Sequence, residues 1–227
     1  QNQFDILKSL ADLSFKVITM ANSTKEILID LYGIDEGKIE IVHHGVPYMN
    51  LPNKEILKEK YGLKGKMVIS TFGLLSPGKG LEYAILAMDK VRNSFPNVVY
   101  LILGQTHPNV KREKGEEYRE KLIKLVKDLN LEDNVKFIDK YLTKREILEY
   151  LKLTDIYLTP YKGREQAVSG TLAYALGCGK AIISTPYTYA KEMLSNGRGI
   201  LVNFEDSNSI SSAIIKLLEN EKLRREL

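Results

Sequence analysis

The feature that most constrains this chain is a repeated switch between two apolar periods. Short runs rich in Ile and Val recur along its length: Lys16 to Thr19, Lys38 to Val42, Met67 to Phe72, Val98 to Leu103, Val135 to Ile138, Ile156 to Thr159, Ala181 to Ser184 and Ile200 to Val202. Each has the length and composition of a β-strand. Between them, apolar residues fall at helical steps. Leu81, Ala84, Ile85, Met88, Val91 and Phe95 share one helix face, and Pro96 ends the run. Tyr118, Leu122, Leu125, Val126 and Leu129 mark a second window, while "STKE" (Ser23 to Glu26) and "TKRE" (Thr143 to Glu146) read as capping boxes that open two more helices. This alternation predicts an α/β fold, a Rossmann-like doubly wound parallel sheet with helices on both faces. In such sheets the crossovers are right-handed and ligands bind at the carboxyl ends of the strands.

One stretch interrupts the pattern. "VHHGVPYMNLPN", residues 42 to 53, carries two prolines, a glycine and two asparagines and reads as a linker. The strand, helix and strand before it are too few to bury an independent core. Beyond it lie six strand candidates with their helices, enough for one complete domain. The chain opens on Gln1 and closes at Leu227 inside a charged, helix-prone stretch, so it reads as part of a longer protein. Residues 1–45 are therefore expected to be the tail of a preceding domain or its linker, and residues 46–227 a complete Rossmann-like domain.

Composition excludes several classes. No apolar run approaches the roughly 20 residues that cross a bilayer. The net charge is only +4, and lysines alternate with glutamates in "KREKGEEYREK", which suits solvated helix faces rather than a nucleic-acid stripe. The single cysteine, Cys178, sits in a tight turn between Gly177 and Gly179, reads as a small buried residue, and fits a reducing, cytoplasmic setting. His43 and His44 are adjacent in an extended segment, so they point to opposite sides and cannot chelate one ion; no metal site is expected.

Two loops carry the candidate chemistry. "STFGLLSPGKGLEY", residues 70 to 83, leads from a strand through glycines into a helix. A loop of this kind offers backbone N–H groups at a helix N-terminus to an anion, and Lys79 adds a full positive charge. Gly80 stands where a P-loop has Ser or Thr, so ATP hydrolysis is not expected. The second loop, within "TPYKGREQAVSGTLAYALGCGKAIIST" (residues 159 to 185), leaves a strand, passes Arg164, Glu165 and Gln166, and enters a small-residue helix at Ser169 to Thr171. Two helix N-termini are thus expected to face one cleft.

These segments carry a family resemblance. "VHHGVP", "FGLLSPGKGLEYAI", "LILGQTHPNV", "VKFIDKYLTKREI" and "DIYLTPY...SGTLAYALGCGKAIIST", in this order and spacing, resemble the carboxyl-terminal domain of family 4 retaining glycosyltransferases of GT-B architecture over nearly the whole chain. The resemblance implies that this domain binds a nucleotide-diphosphate sugar, while a preceding domain supplies most of the site for an acceptor glycan, lipid or small molecule. It implies transfer with retention, no metal or other cofactor, no activity from this chain alone, and peripheral membrane association of the full-length protein as a further expectation. The family's loop reads G-R-L-x-x-x-K-G; here it runs from Gly73 to Gly80, with Leu74 in place of the arginine and the lysine kept at Lys79.

Lys79 is therefore the implied partner of the donor diphosphate. The family's pair of glutamates, eight residues apart, falls on Gln166 and Tyr174, neither a carboxylate. Glu165, one residue earlier, is the candidate for the sugar contact, and Arg164 for the missing arginine. Lys79 and Glu165 are the implied catalytic pair. Gly73, Gly104, His107, Tyr141, Leu142, Ser169, Gly170, Thr171 and Tyr174 complete the implied donor contacts, with His107 equally readable as a turn residue. A sugar-nucleotide epimerase or phosphorylase of the same architecture, and a non-catalytic nucleotide-binding module, stay open as alternatives.

Overall fold

The computed structural model describes residues 2–227; Gln1 lies outside the described residues. All eight expected strands form: β1 (Val17–Thr19), β2 (Ile39–Ile41), β3 (Met67–Phe72), β4 (Val98–Leu103), β5 (Val135–Ile138), β6 (Ile156–Thr159), β7 (Ala181–Ser184) and β8 (Ile200–Leu201). The helices are α1 (Asn2–Leu13), α2 (Asn22–Asp30), α3 (Lys54–Lys60), α4 (Leu81–Ser94), α5 (Pro108–Lys114), α6 (Glu117–Asp128), α7 (Lys144–Leu153), α8 (Gly170–Gly177), α9 (Thr188–Met193), α10 (Ser207–Glu219) and α11 (Glu221–Glu226). β1 and β2 pair in a small two-stranded parallel sheet. The other six strands form one sheet, every pairing parallel, in the order β5-β4-β3-β6-β7-β8. The chain winds outward from β3 to β5, then returns to place β6 against β3. The order reverses there, and a crevice opens at the carboxyl ends of β3 and β6.

Two apolar layers hold the sheet. All six residues of β4 are buried, and they alternate between the layers. Val98, Tyr100 and Ile102 join the core under α4, α6 and α10; Val99, Leu101 and Leu103 join the core under α3, α7, α8 and α9. A fully buried side chain of this size contributes about 1.5–3 kcal/mol. The stripe read for α4 lies wholly in the first layer, with Leu81, Ala84, Ile85, Met88 and Val91 buried and Phe95 packed against it. Asp155, at the foot of β6, accepts from Lys54 Nζ (2.5 Å), Lys58 Nζ (3.0 Å) and Val68 N (2.8 Å), which joins α3 to the sheet.

The two expected capping boxes part company. At α7 the box forms: Thr143 Oγ1 accepts from Glu146 N, and the Glu146 carboxylate accepts from Thr143 N at 2.9 Å. At α2 it does not. That helix begins at Asn22 after Ala21, so Ser23 lies inside the first turn, and its hydroxyl has no partner. Glu192 of α9 takes the capping role instead, accepting from Asn22 N at 2.7 Å and Ser23 N at 3.0 Å. A full carboxylate at a helix N-terminus outcompetes a local hydroxyl.

Residues 42–53 form no helix or strand, as their composition suggested. They run against α8: His44 lies over Gly170 at its start and Val46 over Gly177 at its end.

Candidate functional site

β3 and β6 end side by side, and the loops that follow them lock together. Lys162 N donates to the carbonyl of Gly78 at 2.9 Å. Gly80 is left-handed (φ 60°), and a Cβ there would lie 2.2 Å from the carbonyl oxygen of Pro160, so only glycine lets the loops approach this closely. On the other side of β3, Gly104 ends β4 with φ 131°, and its Cβ would meet the Gly73 carbonyl oxygen at 2.1 Å. The ends of β3 and β4 thus meet at Gly73 and Gly104, and the loops after β3 and β6 meet at Gly80 and Pro160.

Lys79 closes a single turn of 3-10 helix, Pro77–Lys79, and reaches back into the crevice. Its Nζ stands 3.9 Å from the centroid of the Tyr161 ring and 3.8 Å from the position a Cβ on Gly73 would take. Tyr161 is buried and stacks on Tyr187 at 5.4 Å; its hydroxyl shares a 2.8 Å hydrogen bond with Thr171 Oγ1, which in turn lies 3.1 Å from Ser169 Oγ. Lys79, Gly73, Ser169, Gly170 and Thr171 are therefore one cluster. Among the described residues Lys79 has no carboxylate partner, whereas Lys162 in the facing loop is paired with Glu82 at 3.1 Å. Burial lowers the Lys79 amine to about 8. A half-buried, unpaired ammonium is unfavourable alone and is stabilised by an anion placed beside it.

The two helix starts are not equivalent. At α4 the first N–H, on Leu81, donates to the Tyr118 hydroxyl at 3.2 Å, and Glu82 places an acid in the first turn. With Leu81 N–H taken and an acid beside it, this is the less suited to an anion of the two N-termini expected to face the cleft. At α8 Ser169 caps Leu172 N at 3.3 Å, there is no acid in the first turn, and the N–H groups of Gly170 and Thr171 donate to nothing among the described residues. Of the two, the α8 start, with Lys79 beside it, is the one that has donors to offer an anion.

Beyond Gly73 an apolar groove opens between the ends of β3, β4 and β5, lined by Phe72, Gly73, Gly104, Gln105, Tyr141 and Leu142. Tyr141 stands 77% exposed at its lip. A flat ring with a polar edge suits such a groove. Arg119 supports it from below, donating to the Gly104 carbonyl at 2.8 Å and pairing with Asp139 at 3.0 Å. A larger cavity lies at the opposite, amino end of β3, β6 and β7, among Lys54, Asp155, Lys180 and Arg224, and holds none of these loop residues.

The remaining candidates take distinct places. His107 caps α5, its Nδ1 accepting from Asn109 N at 3.2 Å, which is the turn reading. Arg164 is exposed and stacks on Phe204 at 4.3 Å, so it is anchored to the segment after β8 rather than to Lys79. Glu165 is exposed and makes no hydrogen bond among the described residues. Gln166 turns onto its own loop, Nε2 donating to the Val168 carbonyl at 3.0 Å. Tyr174 packs edge-on between Phe72 (6.1 Å) and His44 (5.8 Å). Tyr161, Arg119 and His44 escaped the sequence reading as site residues. Tyr161 carried a signal, since it directly follows Pro160 at a strand end beside the crevice.

Together these features define a doubly wound α/β domain with an anion-ready crevice at its switch point, the GT-B class of glycosyltransferase domain. The particular family follows: glycosyl transferases group 1 matches residues 53–227, and the chain belongs to that family. It is 28% identical over 228 residues to an uncharacterized glycosyltransferase of Methanocaldococcus jannaschii, covering 96% of this chain and 54% of that protein. It is 25% identical to the N-acetylgalactosamine-N,N'-diacetylbacillosaminyl-diphospho-undecaprenol 4-alpha-N-acetylgalactosaminyltransferase of Campylobacter jejuni, over 97% of this chain and 54% of that protein. Among solved structures, HepE of Anabaena in complex with UDP superposes with a TM-score of 0.83 at 20% identity, over 99% of this chain and 60% of that one. The chain spans about half the length of these two curated relatives (54% of each).

Proposed function

We propose that residues 46–227 form the donor-binding domain of a retaining glycosyltransferase and that residues 1–45 are the tail of its acceptor domain. The observation that carries this reading is the unpaired, half-buried Lys79 ammonium facing the open N-terminus of α8, with an apolar groove alongside. A nucleoside diphosphate has that shape and charge: its base fits the groove by Tyr141 and Leu142, and its phosphates lie between Lys79 and the N–H groups of Gly170 and Thr171. The presence of UDP in the HepE structure supports a uridine nucleotide.

In the reaction the bond between the anomeric carbon and the diphosphate oxygen breaks. The acceptor oxygen bonds to the same face of the sugar, its proton passes to the departing phosphate oxygen, and the nucleoside diphosphate leaves. Charge grows on the departing phosphate, so Lys79 and the α8 N–H groups stabilise the transition state more than the bound donor. Glu165 is left free to meet sugar hydroxyls, and Gln166 lies one residue on. No metal is assigned a role. The names of relatives support a lipid-linked acceptor: the Campylobacter jejuni protein is named for a diphospho-undecaprenol, and a Mycolicibacterium smegmatis relative is a phosphatidyl-myo-inositol mannosyltransferase. Such an acceptor brings the full-length protein to the cytoplasmic face of a membrane.

The absence of carboxylates at Gln166 and Tyr174 favours a second reading, a nucleotide-binding module without turnover. The test is calorimetric titration of the 227-residue chain with UDP, GDP and ADP, with and without EDTA, followed by a donor-hydrolysis assay on the full-length protein. Binding of one diphosphate that persists in EDTA supports the donor site, and sugar release separates the transferase from the module. No binding of any of the three rejects both.

A further inference from the structure

We infer that His44, carried by the linker rather than by the domain's own loops, is a further donor-binding residue that meets the diphosphate at the start of α8; this rests on the donor-site reading above. Its ring is fixed from several sides. Nδ1 lies 2.9 Å from the carbonyl oxygen of Gly45. A carbonyl only accepts, so Nδ1 carries the proton that makes this bond and Nε2 is the ring atom left for a ligand. Nε2 points at the start of α8, 3.0 Å from where a Cβ on Gly170 would be. Tyr174, one turn further along, meets the ring edge-on at 5.8 Å.

The seat is made by α8 itself. Gly170 and Gly177 stand at its two ends, and each leaves room for a linker side chain: His44 at the first, Val46 at the second, where an added Cβ would come within 2.8 Å. The linker is thereby strapped along the helix, and the imidazole is held against Gly170, whose N–H, like that of Thr171, donates to nothing among the described residues. No charged side chain bonds to its ring among the described residues, so nothing in the fold consumes Nε2. A phosphate oxygen that accepts from Gly170 and Thr171 comes within reach of that nitrogen, which donates to it when protonated. His43 is the internal contrast. It is exposed, and its ring turns back to the Met20 carbonyl at 3.2 Å.

The experiment is titration of the chain and of its His44→Ala, His44→Gln and His43→Ala variants with UDP, GDP, uridine and guanosine, with thermal unfolding of each variant alongside. His44→Ala is expected to weaken whichever diphosphate the wild type binds by about five- to twentyfold. It should leave the matching nucleoside unchanged, and His44→Gln, which keeps a donor, should restore part of the loss. His43→Ala should change neither affinity. If the wild type binds a diphosphate and His44→Ala binds it equally well, or loses the nucleoside in the same proportion, the inference is wrong and the donor-site reading stands. If the wild type binds only ADP, the same comparison runs with ADP and adenosine; if it binds none of the three diphosphates, both are wrong.

Discussion

The Nζ of Lys79 stands 3.9 Å above the ring of Tyr161, and no carboxylate among the described residues pairs with it. The ring's negative face supplies only part of what the buried ammonium lost on leaving water. An anion placed there would supply the rest, and the α8 N-terminus lies on the same side of the crevice.

Nucleotide binding should therefore depend on pH in a defined window. Burial lowers the Lys79 amine to about 8, and a bound diphosphate favours its charged form. Below about pH 8 the ammonium is already present. Above it, binding must recover a proton, so affinity should fall by up to about tenfold per pH unit. The fall should be absent in Lys79→Ala. Folding stability moves the opposite way: the unfolded chain holds this proton more tightly, so the cost of burying the charge lessens as pH rises through 8. Calorimetry at pH 7, 8 and 9 checks the first, and chemical denaturation the second.

Gly104→Ala should be among the most damaging single-atom additions in the domain. The new Cβ would fall 2.1 Å from the Gly73 carbonyl oxygen in a backbone with φ 131°. Neither strand end can yield without breaking the ladder, and a loss of about 3 kcal/mol or more is expected. Gly115→Ala is the comparison, with open space around the new Cβ but a backbone (φ 59°, ψ −134°) that L residues rarely adopt, and should cost less, about 1–3 kcal/mol. Thermal unfolding of the two variants gives the comparison.

Asp155→Ala should cost about 3–5 kcal/mol, because it strands the buried Lys58 ammonium and the Val68 N–H. Burial pushes the Asp155 carboxyl up, but hydrogen bonding and charge from Lys54, with Val68 N and Lys58, outweigh it and hold it below its ordinary value. Its stabilisation is present above the unfolded carboxylate's range and is lost as pH falls through the folded value. The variant should therefore show a flatter acid limb in denaturation. Asp133→Ala, at a fully exposed site, should change stability by less than about 0.5 kcal/mol.

The strands, the α4 stripe and the α7 box were legible because each is written in local spacing. The α2 box was not, because Glu192 lies 170 residues from Asn22 and no local rule pairs them. The same limit governs the site. Lys79, Ser169 and Gly170 announce themselves by their position after strands, in loops with glycines. Tyr161 beneath the lysine, Arg119 beneath Gly104 and His44 over Gly170 are set by how the layers pack. Arg164 shows the converse: a cation in a promising loop whose side chain the packing takes to Phe204.

The most direct measurement is calorimetric titration of Lys79→Ala and Lys90→Ala with the nucleoside diphosphate that the wild type binds. Lys90, late in α4, is exposed and among the described residues bonds only to Asn208. Loss of a charge-assisted contact of about 1.5–3 kcal/mol predicts at least about tenfold weaker binding for Lys79→Ala, with stability nearly unchanged. Lys90→Ala should match the wild type within about 0.5 kcal/mol. Equal affinities for all three proteins would contradict the account, leaving Lys79 a turn residue and the crevice without its assigned charge.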